Sequence, residues 1–77
     1  MKIDQISLLV EANHIKKAHL SPAVMTKDKW ILSFERKNGQ LVTLHTQRKN
    51  VREFSKMESA IKVLNELGIK RVNVHWQ

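Results

Sequence analysis

The side chains with the clearest chemical use in this sequence are the arginines and lysines in its middle. Between positions 36 and 56 a single acidic residue, Glu53, interrupts the cations. An arginine presents a planar fork of donors to phosphate oxygens, and a lysine adds a mobile point charge. This mixture predicts contacts with the phosphate backbone of a nucleic acid. The predicted binding residues are Arg36, Lys37, Arg48, Lys49, Arg52 and Lys56.

The overall composition agrees with an anionic partner. The 77 residues include 14 Lys and Arg against 7 Asp and Glu, which gives a formal net charge of +7. On so small a surface this charge produces a field of one sign that attracts polyanions and acidic surfaces. We expect a nucleic acid as the partner and favour DNA over RNA. A two-stranded ribbon with Arg36 and Lys37 beside its tip has a shape that enters a major groove.

Two other interpretations of these cations remain open. In the first, the basic hairpin is a solvated surface without a ligand. In the second, the protein is an interaction adaptor or regulator, whose basic face binds an acidic protein while an exposed sheet edge pairs with a strand of that partner. These interpretations differ from the nucleic-acid hypothesis in the ligand that they predict.

The sequence lacks the residue groups of common catalytic sites. It has no cysteine and two glycines, so neither a thiol nucleophile nor a phosphate-cradling loop is present. The histidines stand apart, and no two of them have a metal-binding spacing: His14, His19, His45 and His75. We therefore expect no enzyme activity, no cofactor, no metal site and no small-molecule substrate.

Length and hydropathy indicate the number of domains and the cellular compartment. Residues 1–77 are enough for one small domain. No stretch approaches the roughly 20 apolar residues of a membrane helix, and the lack of cysteine gives no sign of an oxidising compartment. We expect a cytoplasmic protein without membrane contact. A homodimer is a further possibility, through a sheet edge near Pro22 or the terminal strand that ends at Trp76.

The cations surround a predicted β-hairpin that spans Trp30 to Gln47. Asn38 and Gly39 separate two β-prone runs, which predicts a two-residue type I′ turn. The resulting register pairs Lys37 with Gln40 and Phe34 with Thr43. It puts four apolar residues on one side of the sheet: Trp30, Leu32, Phe34 and Leu41.

Apolar spacing predicts the other elements. A helix is expected from Ile3 to about Asn13, with a strand as the alternative. A strand is expected from Ile15 to Met25 that lies at a sheet edge or breaks at Pro22. A brief strand is expected at Val51–Phe54. A second helix follows a capping box formed by Ser55 and Glu58 and ends at Gly68, with Ile69 packed back on its last turn.

The tail after Gly68 alternates Val72, Val74 and Trp76 with polar residues, which predicts a half-buried final strand. The element order is therefore α-β-β-β-(β)-α-β. The predicted fold class is α+β: a small antiparallel sheet of three to five strands with two helices packed on one face.

Two resemblances add to this interpretation. The run Trp30-x-Leu32-x-Phe34-x-x-Lys37-x-Gly39, followed by Leu44-x-Thr46-Gln47-Arg48-Lys49-x-x-Arg52-x-Phe54 and Val72-x-Val74, resembles small replication or partition accessory proteins of conjugative plasmids and integrated mobile elements. That group tends to have Thr-Gln-Arg-Gly where this chain has Lys49 in place of the glycine. The resemblance implies a role linked to DNA.

The element order is also similar to that of double-stranded RNA-binding domains. Those domains carry a lysine cluster at the start of their second helix, and this chain has Lys56 alone there. This second resemblance implies a double-stranded RNA-binding module as an alternative.

Overall fold

Both helices of this protein lie against one face of a mixed sheet, as seen in a computed structural model that describes residues 1–75. The elements are α1 (Ile3–Glu11), β1 (Ile15–Pro22), β2 (Trp30–Arg36), β3 (Leu41–Thr43), β4 (Glu53–Phe54), α2 (Met57–Leu67) and β5 (Asn73–Val74). The predicted α+β class and the predicted order are confirmed. The sheet is not wholly antiparallel, because β5 pairs with β1 in the parallel direction. Trp76, predicted at the end of the final strand, lies outside the described residues.

The core is one cluster to which both helices and β1 to β4 contribute. Its largest fully buried side chains are Phe34, Ile6, Leu20, Leu32 and Leu44. The helix α2 adds three buried residues at helical spacing, Ala60, Val63 and Leu64. With no disulfide to constrain the chain, this single cluster carries the stability of the fold.

The predicted end of α2 is confirmed, whereas its predicted start is wrong. Gly68 adopts φ +84°, and the Ile69 N–H donates to the Leu64 carbonyl at 2.9 Å, as in a Schellman motif. At the other end Lys56 is the N-cap and makes no side-chain cap. Ser55 precedes the N-cap and forms no capping box; its Oγ accepts a hydrogen bond from Lys29 Nζ at 2.6 Å.

The hairpin exists, but its predicted register is wrong by one residue. Phe34 pairs with Val42, and the Arg36 N–H donates to the Gln40 carbonyl at 2.8 Å, so the loop has three residues. Gly39 at φ +92° supplies the left-handed residue of this bulged turn. The slip reverses the faces of the second strand: Val42 is buried and Leu41 is 64% exposed. Burial decides the register, because the predicted one would have turned Thr43 into the core instead.

The strands β3 and β4 follow each other along the same edge of β2. The Leu44 N–H donates to the Leu32 carbonyl at 2.9 Å, and Ile31 pairs with Glu53. Between these points residues 45–52, the excursion loop, leave the sheet and return. The loop is closed by a bond of 2.9 Å from the Arg52 N–H to the Leu44 carbonyl.

The strand β1 lies inside the sheet, between β2 and β5. The expectation of an edge strand near Pro22 is therefore wrong, and the alternative of a break is confirmed, since Pro22 is the last residue of β1. Beyond it Val24 is 89% exposed and does not continue the buried pattern of Ala18 and Leu20.

Candidate nucleic-acid interface

The six predicted binding residues occupy three separate places. Arg36 and Lys37 lie at the turn between β2 and β3, and Arg48 and Lys49 lie at the tip of the excursion loop. Arg52 and Lys56 flank β4. Because β4 pairs with the first residues of β2 and Arg36 is its last, about 20 Å of strand separates the first group from the third.

The expected protruding ribbon does not form. The strand β2 has β1 on one side and β3 with β4 on the other. The turn is also tied to the start of β1, because the Lys37 N–H donates to the His14 carbonyl at 2.9 Å. Arg36 and Lys37 therefore belong to one end of the sheet rather than to a projecting tip.

Four further cations lie at that end, and sequence reasoning did not select them. Ile15 pairs with Arg36, which puts Lys16 and Lys17 next to the turn. Since β5 runs parallel to β1, the residues before β5 approach the same end. We call this group the basic end: Lys16, Lys17, Arg36, Lys37, Lys70 and Arg71.

A cleft of about 460 Å³ opens within the basic end. It lies where β1 and the chain before β5 diverge, because the two strands pair only at His19 and Leu20 within the described chain. Four cations line it, and its lining contains no acidic side chain: Lys16, Lys17, Lys70 and Arg71. Apolar side chains and two asparagine amides complete the lining. This arrangement suits an anionic ligand with an apolar part.

Arg36 has unused donor capacity. Its Nη1 donates to Gln40 Oε1 at 2.8 Å, while its Nε is buried without a hydrogen-bond partner. A buried donor left unpaired costs on the order of 1–3 kcal/mol.

Glu35 and two histidines lie beside the cleft. Lys16 Nζ is 3.7 Å from Glu35 Oε2, and His19 Nε2 is 3.6 Å from Glu35 Oε1. On the other side of its ring, His19 Nδ1 lies 3.0 Å from His75 Nε2. The histidine pair thus joins β1 to β5 at the closed end of the cleft, where the two strands are paired.

Two of the four cations at the other end of the sheet contact protein side chains. This opposite end consists of Lys27, Lys29, Arg52 and Lys56. Lys29 donates to Ser55, and the Arg52 guanidinium lies 5.0 Å from the centre of the Phe54 ring. Acidic residues also occur among them in the chain, at Asp28, Glu53 and Glu58.

Charge is divided between the helices and the rest of the chain. The two helices hold four of the seven acidic residues and a single lysine, Lys62, which gives them a net charge of −3. The remaining residues therefore carry a net charge of +10. The sheet and its loops are thus the attractive part of the surface for a polyanion.

Other kinds of site find no support in residues 1–75. This part of the chain contains no group of three or more His, Asp or Glu side chains placed to hold a metal ion. Neither α1 nor α2 is long and apolar enough to cross a membrane, and they are the helices of the described residues. Comparison of the chain with protein-family models, curated proteins and solved structures gave no significant match.

Proposed function

We propose that this protein is a non-enzymatic nucleic-acid-binding accessory module with DNA as its ligand. The observation that carries the proposal is the basic end, where six cations come from three neighbouring parts of the sheet and four of them line a cleft without acidic lining. Arg36 and Lys37, two of the residues expected from the sequence, belong to this end. The other four predicted cations lie elsewhere and act at most as secondary contacts.

The dimensions of the basic end fit a phosphate backbone. Its cations come from the β2–β3 turn, from β1 and from the segment before β5, which are neighbours in the sheet. Strands lie about 4.8 Å apart, so the row extends over roughly 12 Å. One strand of a duplex carries a phosphate for about every 3.4 Å of helix axis, so three to four phosphates can face the row.

The charge division supports one orientation on the ligand. Helices α1 and α2 have a net negative charge and are repelled by a polyanion, while the basic end is attracted. The resemblance to accessory proteins of plasmids and other mobile elements agrees with this ligand. On that basis the proposed role is in replication or partition of mobile DNA in the cytoplasm.

A salt titration of DNA binding tests the proposal. With about four phosphate contacts, the logarithm of the association constant should fall against the logarithm of salt concentration with a slope of roughly −3 to −4. Fluorescence anisotropy with labelled duplex and single-stranded DNA measures this slope. Absence of binding to both at low salt would remove the proposal and favour an acidic protein partner. Much tighter binding to double-stranded RNA would favour the RNA-binding alternative.

A further inference from the structure

We infer that the cleft of the basic end receives one unpaired nucleotide, with the base inside and the phosphates on the cationic rim. This inference rests on the proposed function and specifies its ligand as a nucleic acid with a single-stranded segment. It follows from three features of the cleft: its size, its apolar floor and its two amides.

The size and the floor of the cleft suit a base. Its volume of about 460 Å³ lies within the range of about 300 to 1,000 Å³ of small-ligand clefts. Val10, Ile15 and Ile69 line it and pack against the core as partly buried residues. Every base has two apolar faces, so such a floor accepts any base without reading its sequence. A phosphate alone would leave this apolar part of the cleft unused.

The two amides supply polar groups for the edge of a base. Asn13 and Asn73 are both exposed and line the cleft, one after α1 and the other in β5. An amide side chain offers both donors and acceptors and therefore pairs with base edges. The φ of +60° at Asn13 is a conformation that asparagine and glycine tolerate best, and it holds the residue at the rim.

A paired base cannot use this cleft. In a duplex the bases are stacked and only their edges are accessible from the grooves, so a protein takes up a whole base from single strands or after extrusion. Duplex DNA would therefore contact the rim cations alone. Single-stranded DNA would contact the rim, the floor and the amides, and should bind more tightly.

An abasic strand separates these contributions. We would measure binding of a short single-stranded DNA of mixed sequence and of a strand of equal length built from abasic units, which keeps the phosphates. The intact strand should bind roughly five- to tenfold more tightly. In the double variant Asn13→Gly with Asn73→Ala this difference should shrink to roughly two- to threefold, because the floor still contacts the base, with the affinity for the abasic strand unchanged. Glycine at position 13 keeps the backbone conformation.

Asn65→Ala is the matched control, because it removes an exposed amide from α2 and should leave the difference intact. A thermal melt of each full-length variant verifies the fold. Equal binding of intact and abasic strands would overturn the inference and leave the proposed function standing. So would a difference that is undiminished in the Asn13 and Asn73 variant. Failure of both strands and of duplex DNA to bind at low salt would instead remove the proposed function itself.

Discussion

The two ends of the sheet contain similar cations that differ in what surrounds them. At the opposite end Lys29 donates to Ser55, and Arg52 lies over the Phe54 ring. At the basic end, four cations line a cleft whose lining contains no acidic side chain, and Glu35 lies beside it, 3.7 Å from Lys16 Nζ. A count of lysines and arginines along the chain treats the two ends alike. The fold gives the basic end a cleft without acidic lining, whereas the cleft at the opposite end is lined by Asp28 as well as by Lys27 and Lys29.

The largest expected effect comes from a core substitution, which disrupts both ends of the sheet together because it unfolds the domain. Leu64 is 2% exposed in the core, and its truncation in Leu64→Ala should cost on the order of 2–5 kcal/mol. That is a large part of the stability of a domain this small, so the cooperative melt should broaden or disappear and DNA binding should be lost with it. Circular dichroism against temperature measures the loss. An unchanged melting temperature would mean that the described core does not hold the sheet together.

Two double variants of equal charge compare the ends directly. Lys17→Gln with Lys70→Gln changes the basic end, and Lys27→Gln with Lys56→Gln changes the opposite end; all four side chains are exposed. Each pair lowers the net charge by two, so the long-range field changes equally. If both basic-end residues contact phosphate, their loss should weaken DNA binding by roughly tenfold or more and flatten the salt slope by about two.

The variant Lys27→Gln with Lys56→Gln should leave the salt slope of DNA binding nearly unchanged, because it removes no phosphate contact. Both variants should retain the stability of the parent to within about 0.5 kcal/mol. Equal losses of affinity and of slope in the two variants would show that net charge, rather than the basic end, drives the binding.

Substitution of Arg52 tests whether this predicted binding residue stabilises the fold instead of binding DNA. From the sequence it resembles Arg48, a solvated cation, but the fold places its guanidinium 5.0 Å from the Phe54 ring centre and leaves Arg48 exposed. Arg52→Ala should therefore lower the free energy of unfolding by about 1 kcal/mol, through the lost cation–π contact and packing. Arg48→Ala should change it by less than about 0.5 kcal/mol.

Urea denaturation of the two variants measures this difference. Neither substitution should affect DNA affinity more than the opposite-end pair does. A loss of affinity in Arg52→Ala with full stability would return this residue to the binding surface.

Much of the scaffold was predictable from local patterns. Apolar spacing identified both helices, and Gly68 marked the end of α2, because a left-handed residue followed by an apolar one is a local signal. The hairpin register was not fixed by its turn residues. Asn-Gly suits a two-residue loop, but Gly39 also suits the last position of a bulged three-residue loop. Burial of Val42 and Leu44 decided between them.

The topology of the sheet explains why the basic end was not predictable from the sequence. Lys16 and Lys70 are far apart in the chain, and they meet because β5 pairs in parallel with β1. No local pattern reports which strand a final strand will join. The available signal was weaker: two basic pairs, Lys16-Lys17 and Lys70-Arg71, lie near the starts of strands and would come together if those strands were neighbours.

The smallest expected effect concerns a place outside both ends, the tip of the excursion loop. Residues 46–50 repeat the turn of residues 36–40: the Lys49 N–H donates to the Thr46 carbonyl at 2.9 Å, as the Gly39 N–H does to the Arg36 carbonyl. Lys49 therefore stands where the hairpin has glycine, and it holds φ +69°. A side chain in this conformation costs roughly 1 kcal/mol. Lys49→Gly should stabilise the protein by about 0.5 kcal/mol, after the entropy that glycine adds to the unfolded chain.

For a domain of this length that gain corresponds to a rise of roughly 2–4 °C in Tm, which calorimetry resolves. Lys49→Ala is the matched control, because it removes the same charge and keeps the strained φ, so its Tm should not rise. The reciprocal change Gly39→Ala should be destabilising for conformational reasons alone, since a Cβ at this position meets no atom within 4 Å. If Lys49→Gly raises Tm and keeps the salt slope, position 49 belongs to the turn and not to the DNA surface. A slope flattened by about one in both Lys49 variants would instead add this lysine to the phosphate contacts.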